Sequence, residues 1–284
     1  MAKPAYRLVR LANGTHSVHS VLHGETFHPV IGPVAEAEAL YVRQLGLVER
    51  VRRQADEFVI WDVGLGAAAN AVTVLRALSG IPARVRILSF DHTLEPMAFA
   101  LDHTDSLNFL AGYEQPLREL MARGSVEFDQ AGQRVSWELH LGDFPTLVDS
   151  PAAQRLPAPH AILFDAFSPR TNPAMWTEPL FARVFQLLDP QRPCALPTYS
   201  RSTLLRTTLL LAGFFVGAGH ATGEKDETTI AANTLELISE PLPKKWLERV
   251  RRSNSAEPLW EPVYRQAPLA PATWEILQRH PQFR

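Results

Sequence analysis

The sequence predicts an α/β fold built on one mostly parallel sheet. The first observation is an alternation of short apolar runs with helix-like stretches over residues 58–238. The second is a pair of glycines, Gly64 and Gly66, where the first apolar run would turn sharply into a helix. Where strands alternate with helices, each helix carries the chain back across the sheet to the start of the next strand. The strands therefore run parallel, and the helices cover both faces of the sheet.

Seven strands are predicted along this alternation, at residues 58–64, 85–91, 135–143, 160–167, 194–200, 214–221 and 227–238. Helices are predicted at residues 67–78, 94–104, 115–124, 175–189 and 200–213. The last two strands are close together in the chain, which favours an antiparallel pair at one edge of the sheet. A seven-stranded, mostly parallel sheet with such an edge resembles the Rossmann-like class I methyltransferase fold.

The two flanking regions differ from this core in composition. Residues 1–55 carry turn signals followed by helical spacing at 35–54, which predicts an N-terminal hairpin and helix extension packed on the core. The core domain is expected to span residues 56–240. Residues 241–284 are rich in proline and predict an irregular tail with one short helix at 243–252.

Composition excludes several classes of protein. The 284 residues carry a net charge of −2, so bulk charge gives no sign of a nucleic-acid binder. Cys194 is the single cysteine, which excludes an intrachain disulfide framework and is typical of the cytoplasm. No apolar run reaches the roughly 20 residues of a membrane span, and no signal peptide is expected. The histidines lack metal-binding spacing, so no metal is expected.

The first motif that carries chemistry is the turn Asp62-Val63-Gly64-Leu65-Gly66 and the helix start that contains Asn70. Glycines let the backbone approach a ligand closely, and a helix N-terminus offers free N–H groups. Ala69 replaces the third glycine of the dinucleotide-binding pattern. The motif therefore predicts a cofactor-binding turn at Gly64, Gly66 and Asn70, with an ordinary strand-to-helix turn as the alternative.

Acidic residues follow the second and third strands. Asp91 is placed to accept hydrogen bonds from ribose hydroxyls, or else to cap the next helix. Asp143 follows Gly142 and precedes Phe144. In methyltransferases an acid at this point commonly accepts from the adenine amino group, and the adjacent apolar side chain covers the ring. A helix N-cap at Asp143 is the alternative.

The loop after the fourth strand is the richest in functional groups. It contains Asp165, Phe167 and Pro169, and it continues to Trp176. Ligands of open α/β sheets bind at the carboxyl ends of the strands, where this loop would lie. An acid beside aromatic rings suits an amine or a nucleobase, whereas the alternative is a surface loop with a helix-capping Asp.

This loop, FDAFSPRTNPAMWT, resembles the methyltransferase domain of the tRNA 5-methylaminomethyl-2-thiouridine biosynthesis proteins MnmC and their stand-alone relatives. The resemblance extends in order from residue 20 to 235, including GETFHPVIGPVAEAEALYV at 24–42 and YSRSTLLRTTLLLAGF at 199–214. It implies S-adenosyl-L-methionine as cofactor and tRNA as substrate, methylated on an aminomethyl group of the wobble uridine. The oxidase half of the bifunctional proteins is expected to be absent. The basic segment of the family is reduced here to Gly223-Glu224-Lys225.

In this interpretation Asp165 orients the amine and accepts its proton, and it also contacts the cofactor. The substrate-binding candidates are Phe167, Pro169, Trp176, Tyr199 and Lys225, and Trp176 could equally be a core residue. Basic clusters at 50–53 and 244–252 are candidates for tRNA contact or are solvated helix faces. Three alternatives stay open: a methyltransferase of the same fold that acts on a small molecule or a protein, a non-catalytic cofactor-binding protein, or a nicotinamide-dependent oxidoreductase.

Overall fold

The computed structural model describes residues 5–223 and 226–284. A small N-terminal antiparallel sheet contains β1 (Tyr6–Arg10), β2 (His16–Ser20) and β3 (Glu25–Thr26). The central sheet has eight strands: β4 (Phe58–Val63), β5 (Ala83–Asp91), β6 (Ser125–Gln130), β7 (Gln133–Leu141), β8 (Ala161–Phe164), β9 (Ala195–Thr198), β10 (Phe215–Gly219) and β11 (Thr228–Ala232).

The central sheet has the order β10-β11-β9-β8-β4-β5-β7-β6. The five inner strands from β9 to β7 are parallel, and β11 runs antiparallel to both β9 and β10. The predicted Rossmann-like class I architecture with an antiparallel edge is therefore confirmed. In it, the carboxyl ends of β4, β5, β7 and β8 lie side by side.

The sheet also contains a strand that the sequence analysis did not include. Strand β6 pairs antiparallel with β7 and gives the sheet a second antiparallel edge, so the described strands of the central sheet number eight where seven were predicted. The hairpin turns at Ala131 and Gly132, which have φ angles of 50° and 88°. Positive φ at both central residues is the two-residue turn that matches strand twist.

The helices are α1 (Pro33–Ala37), α2 (Leu47–Arg53), α3 (Ala69–Ala77), α4 (Glu95–Leu101), α5 (Glu114–Arg123), α6 (Phe144–Asp149), α7 (Glu178–Gln186), α8 (Thr203–Leu211), α9 (Trp246–Arg252) and α10 (Pro271–Leu277). The predicted helix at 35–54 is wrong as one continuous element. A π-helical stretch over Glu38–Arg43 follows α1, and the left-handed Gly46 (φ 55°) separates it from α2. Within the described ranges, no helix is long and apolar enough to cross a membrane.

Each face of the sheet packs against its own apolar core. On one face, α3 and α5 pack with the N-terminal helices, and Leu40, Tyr41 and Leu47 are buried there. On the other face, α7 and α8 pack around Trp176 and Phe181. The Tyr41 hydroxyl donates to the carbonyl of Phe164 at 3.1 Å, which fixes the N-terminal region to the end of β8.

The segment after residue 240 lies on the second face. Leu277 and Phe283 are buried in that core. The Gln282 side chain donates to the carbonyls of Val216 and Leu242 and accepts from the Val216 N–H. These three bonds explain why a proline-rich segment is held against the outer strand β10.

Candidate active site

A cavity of about 790 Å³ opens where the carboxyl ends of β4, β5, β7 and β8 meet. Its floor is formed by the turn after β4 and by the loop after β8, and residues 23–31 of the N-terminal region line its other side. Nine of the residues predicted for the site line this one cavity: Gly64, Gly66, Asn70, Asp91, Asp143, Phe144, Asp165, Phe167 and Tyr199.

The glycine turn is held close to the neighbouring backbone. Gly64 has a φ of 90°, and a Cβ placed there would lie 2.5 Å from the carbonyl oxygen of Asp165. Gly66 has a φ of 52°, and its Cβ would lie 3.2 Å from the Phe27 ring. Ala68 is also left-handed, at 62°, before the buried Ala69 begins α3. The two glycines thus let the turn lie directly against the loop after β8 and the Phe27 ring, and both glycines line the cavity.

Asp91 connects the ends of β4 and β5. Its Oδ2 accepts from the Gly66 N–H at 2.9 Å, and its Oδ1 accepts from the His92 N–H at 2.7 Å. The hydrogen bond to the Asp91 carboxylate raises the pKa of His92. Helix α4 begins later and has no side-chain cap, so the capping alternative for Asp91 is wrong.

Asp143 and Phe144 lie at the end of β7. The Asp143 Oδ2 accepts from the N–H and the hydroxyl of Thr146, at 3.1 and 2.6 Å, and so caps α6. The Phe144 ring meets the Phe90 ring edge-on, with centroids 5.1 Å apart. Asp143 is therefore the helix cap that the alternative described, and it also borders the cavity. An adenine contact by this pair stays a prediction.

Asp165 is held by a side chain from α3. The Asn70 Nδ2 donates to the Asp165 Oδ2 at 2.8 Å, and the His28 Nε2 lies 3.6 Å from the same oxygen. The Oδ1 atom of Asn70 is buried and has no hydrogen-bond partner within the part of the chain that the structure describes. The next helical turn begins at Pro173, and its N-cap is Asn172, which argues against a capping role for Asp165.

The predicted substrate-binding residues separate into four groups. Phe167 and Tyr199 line the cavity, and the Phe167 ring stacks on His23 at 4.3 Å. Trp176 is fully buried, and its Nε1 donates to the Phe167 carbonyl at 2.7 Å, so Trp176 takes the core position that the alternative described. Pro169 is not among the residues that line the cavity. Lys225 lies outside the described residues.

Residues 23–31 are the part of the site that motif analysis did not assign. The Glu25 carboxylate accepts from the hydroxyls of Ser168 and Thr171, which ties β3 to the loop after β8. His23 and His28 line the cavity from the same segment. The resemblance over residues 24–42 was the signal for this region, since nothing else in its composition indicates a site.

The basic cluster at 50–53 is not positioned to meet a ligand of this cavity. Arg50 donates to the carbonyls of His160 and Pro193, and Arg52 pairs with Glu49 at 2.7 Å. Because α2 ends just before β4 begins, the cluster lies at the amino edge of the sheet. In the second cluster, Arg252 pairs with Glu248 and Arg251 lies over the Trp274 ring.

Two phenol groups near Asp165 are held neutral. Burial and the negative charge of Asp165 raise the pKa of Tyr41 and of Tyr199 well above the usual value. The Tyr41 hydroxyl is bonded to Phe164, and the Tyr199 hydroxyl donates to the Ala166 carbonyl at 3.1 Å. Neither phenol is therefore suited to accept a proton.

The donors and acceptors of the cavity fit a nucleoside with a cationic amino-acid tail. The Asp91 carboxylate at a strand end suits ribose hydroxyls, and the glycine turn admits a ligand beside the backbone. The unpaired Asn70 Oδ1 can accept from an ammonium group. Five carboxylates line the cavity, namely Glu25, Glu36, Asp91, Asp143 and Asp165.

Comparisons with known proteins bear on the family and the fold of the chain. Residues 111–234 match the family described as S-adenosyl-L-methionine-dependent methyltransferase. The bifunctional tRNA 5-methylaminomethyl-2-thiouridine biosynthesis protein MnmC of Aeromonas hydrophila is 28% identical over 217 residues, which is 72% of this chain and 32% of that protein. MnmC of Methylibium petroleiphilum is 29% identical over 238 residues, covering 78% of this chain and 34% of that protein. The chain thus spans about a third of the length of these curated relatives.

The crystal structure of MnmC2 from Aquifex aeolicus has the same fold. It superposes with a TM-score of 0.69 over 97% of this chain and 83% of that chain, at 23% identity. The chain has the Rossmann-like class I fold and is an S-adenosyl-L-methionine-dependent methyltransferase, and its sequence is similar to that of MnmC.

Proposed function

We propose that this enzyme methylates the nitrogen of an aminomethyl group on the wobble uridine of tRNA. The observation that carries the proposal is the Asp165 carboxylate, held by Asn70 in an acidic cavity at the carboxyl edge of the sheet. When bound, S-adenosyl-L-methionine supplies an electrophilic methyl group. The protein's part is to bind the amine beside that methyl, align it and exclude water.

The cofactor is proposed to lie along the ends of β4, β5, β7 and β8. Asp91 would accept from its ribose hydroxyls, and Asp143 with Phe144 would contact its base. The Asn70 Oδ1 would accept from its amino group, which gives that buried atom the partner it otherwise lacks.

Asp91→Ala is expected to weaken cofactor affinity about 10- to 100-fold, because hydrogen bonds to a charged acceptor contribute about 1.5–3 kcal/mol. Calorimetric titration with S-adenosylhomocysteine measures the change. The exposed Asp105→Ala serves as the control and should bind as the wild type does. An unchanged dissociation constant in Asp91→Ala would remove Asp91 from the cofactor site.

The charge of the cavity supports an amine substrate. An alkylamine resembles lysine, whose ordinary pKa is about 10.4, so it arrives mostly as a cation. Five carboxylates around the cavity favour that cation over a neutral or anionic group. Phe167, one of whose ring faces stacks on His23, offers an aromatic surface to a base taken out of its stack.

The tRNA assignment is supported by the names of the relatives, which are tRNA-modifying proteins. Positive charge at the carboxyl edge supports it as well. Arg170 is exposed in the loop after β8, and Arg201 follows β9 and lies 3.8 Å from Asp226. A tRNA substrate would place the enzyme in the cytoplasm.

The test is methyl transfer from labelled cofactor to bulk tRNA whose wobble uridines carry free aminomethyl groups. Digestion to nucleosides should show the label in the methylaminomethyl uridine fraction. Bulk tRNA that is already methylated at this position is the matched control and should take up no label. Cofactor binding without label in any tRNA would contradict the proposal.

A methyltransferase that acts on a small molecule or a protein is the second candidate. The near-neutral net charge of −2 and the structural use of Arg50 favour it. In that case the tRNA assay would fail, and label would appear in a protein or metabolite fraction of the same extract.

A further inference from the structure

We propose that His28 takes the proton from the substrate amine, paired with Asp165 in the manner of a histidine–carboxylate dyad. This inference rests on the proposed function, since it requires an amine as the methyl acceptor. It assigns to His28 the proton transfer that the sequence analysis gave to Asp165.

His28 is fixed in an unusual backbone conformation. Its φ is 48°, in the left-handed region that few residues other than glycine adopt. Residues held in such conformations often cluster at functional sites. The His28 side chain is 9% exposed, although it belongs to a surface segment, and it lines the cavity.

The geometry pairs the imidazole with a carboxylate that is itself held in place. The His28 Nε2 lies 3.6 Å from the Asp165 Oδ2, and that oxygen accepts from the Asn70 Nδ2 at 2.8 Å. At 3.6 Å this contact is longer than a hydrogen bond, but catalytic hydrogen bonds are often long in the free enzyme and shorten when substrate binds. A neutral imidazole that donates from Nε2 to Asp165 presents Nδ1 as the proton acceptor.

The other groups near Asp165 are less suited to accept the proton. Glu25 is engaged by Ser168 and Thr171, and both neighbouring phenols are neutral donors. A carboxylic acid has an ordinary pKa of about 4 and an imidazole one of about 6.5, against about 10.4 for an alkylamine. Imidazole is therefore the closer match to the amine, and the Asp165 carboxylate, 3.6 Å from the His28 Nε2, stabilises the imidazolium that forms.

The step balances in atoms and charge. The substrate ammonium gives one proton to the imidazole nitrogen of His28. The freed nitrogen lone pair then forms a bond to the methyl carbon, while the carbon–sulfur bond breaks and leaves its electron pair on sulfur. The products are a secondary ammonium and a neutral thioether, and the imidazolium releases its proton to water.

The first test uses His28→Asn, because asparagine tolerates positive φ and cannot accept the proton. We expect the single-turnover rate on aminomethyl tRNA to fall at least about 100-fold, the lower range for general base catalysis. The dissociation constant for S-adenosylhomocysteine and the unfolding temperature should stay near wild type. His16→Asn, in strand β2 of the N-terminal region and outside the cavity, is the matched control.

The second test is chemical rescue. His28→Gly relieves the backbone conformation and leaves space for a ring, so added imidazole should restore methyl transfer at least about tenfold, a part of the general-base factor. Added sodium chloride of equal ionic strength should not. A rate within about threefold of wild type in His28→Asn, or failure of rescue in a folded His28→Gly, would overturn the assignment.

The third measurement needs no substrate. Imidazole ¹⁵N chemical shifts of labelled protein report which ring nitrogen carries the proton. Asp165→Asn should change the tautomer of His28 and leave that of His16 unchanged. If the wild-type enzyme fails to methylate tRNA, the proposed function is wrong. The spectra still test whether His28 and Asp165 form a dyad, because a His28 tautomer that is unchanged in Asp165→Asn overturns that pairing.

Discussion

Asp165→Asn is expected to lower the single-turnover rate of methyl transfer at least about 100-fold, as general acid–base and orienting groups typically contribute this much or more. The substitution keeps the shape of the side chain, and Asn70 can still donate to the remaining oxygen. What is lost is the negative charge that attracts the ammonium group and steadies the His28 ring, 3.6 Å away.

The measurement is a rapid-mixing time course with enzyme in excess over tRNA, together with calorimetric binding of S-adenosylhomocysteine. Binding should change far less than the rate, because Asp91 and the glycine turn are untouched. Asp129→Asn, exposed at the far edge of the sheet, provides the control. If the single-turnover rate stays within about threefold of wild type, Asp165 only holds the loop in place and has no part in the transfer.

The arrangement of the cofactor-type residues was predictable because they share one physical property. Gly64, Asp91 and Asp165 each follow an apolar strand, and parallel strands bring their carboxyl ends to one edge of the sheet. The order of strands along the chain then fixes which residues become neighbours. Local pattern was sufficient here because the topology rules for parallel sheets are narrow.

Other features depend on contacts between distant segments, and no local pattern of residues indicates them. His28 reaches Asp165 across 137 positions of the chain only because Tyr41 and Glu25 fix the N-terminal region to the loop after β8. Trp176 has the composition of a stacking residue, but its indole is buried and bonded to the Phe167 carbonyl. The strand β6 was missed because its hairpin turn uses Ala131 where glycine or asparagine is usual.

The role of the basic cluster at 50–53 also depends on contacts between distant segments of the chain. Counting charges could not show that the Arg50 guanidinium donates to two backbone carbonyls, because both acceptors lie more than 100 positions away. The Arg50 side chain is largely enclosed by protein, and this burial lowers the pKa of its guanidinium. If the substrate is the proposed tRNA, the exposed Arg170 and Arg201 in the loops at the carboxyl edge are placed to supply positive charge to it.

Gly64→Ala is the substitution for which we expect the largest loss of stability. A Cβ at Gly64 would lie 2.5 Å from the carbonyl oxygen and 3.0 Å from the carbonyl carbon of Asp165. Both atoms are backbone, so no side-chain rotation relieves the contact, and the φ of 90° adds strain. We expect the free energy of unfolding to fall by about 2–4 kcal/mol, the combined range for backbone strain and overpacking.

Gly80→Ala separates the two causes of this loss. Gly80 has a similar φ of 82°, but its Cβ would meet nothing within 4 Å. The strain alone should therefore cost about 1 kcal/mol there, the lower end for an unfavourable backbone conformation. Urea unfolding of both variants gives the difference, which measures the contact between the turn after β4 and the loop that carries Asp165. Equal losses in the two variants would mean that this loop moves aside freely, and the close approach of the two backbones would then not be what positions Asp165.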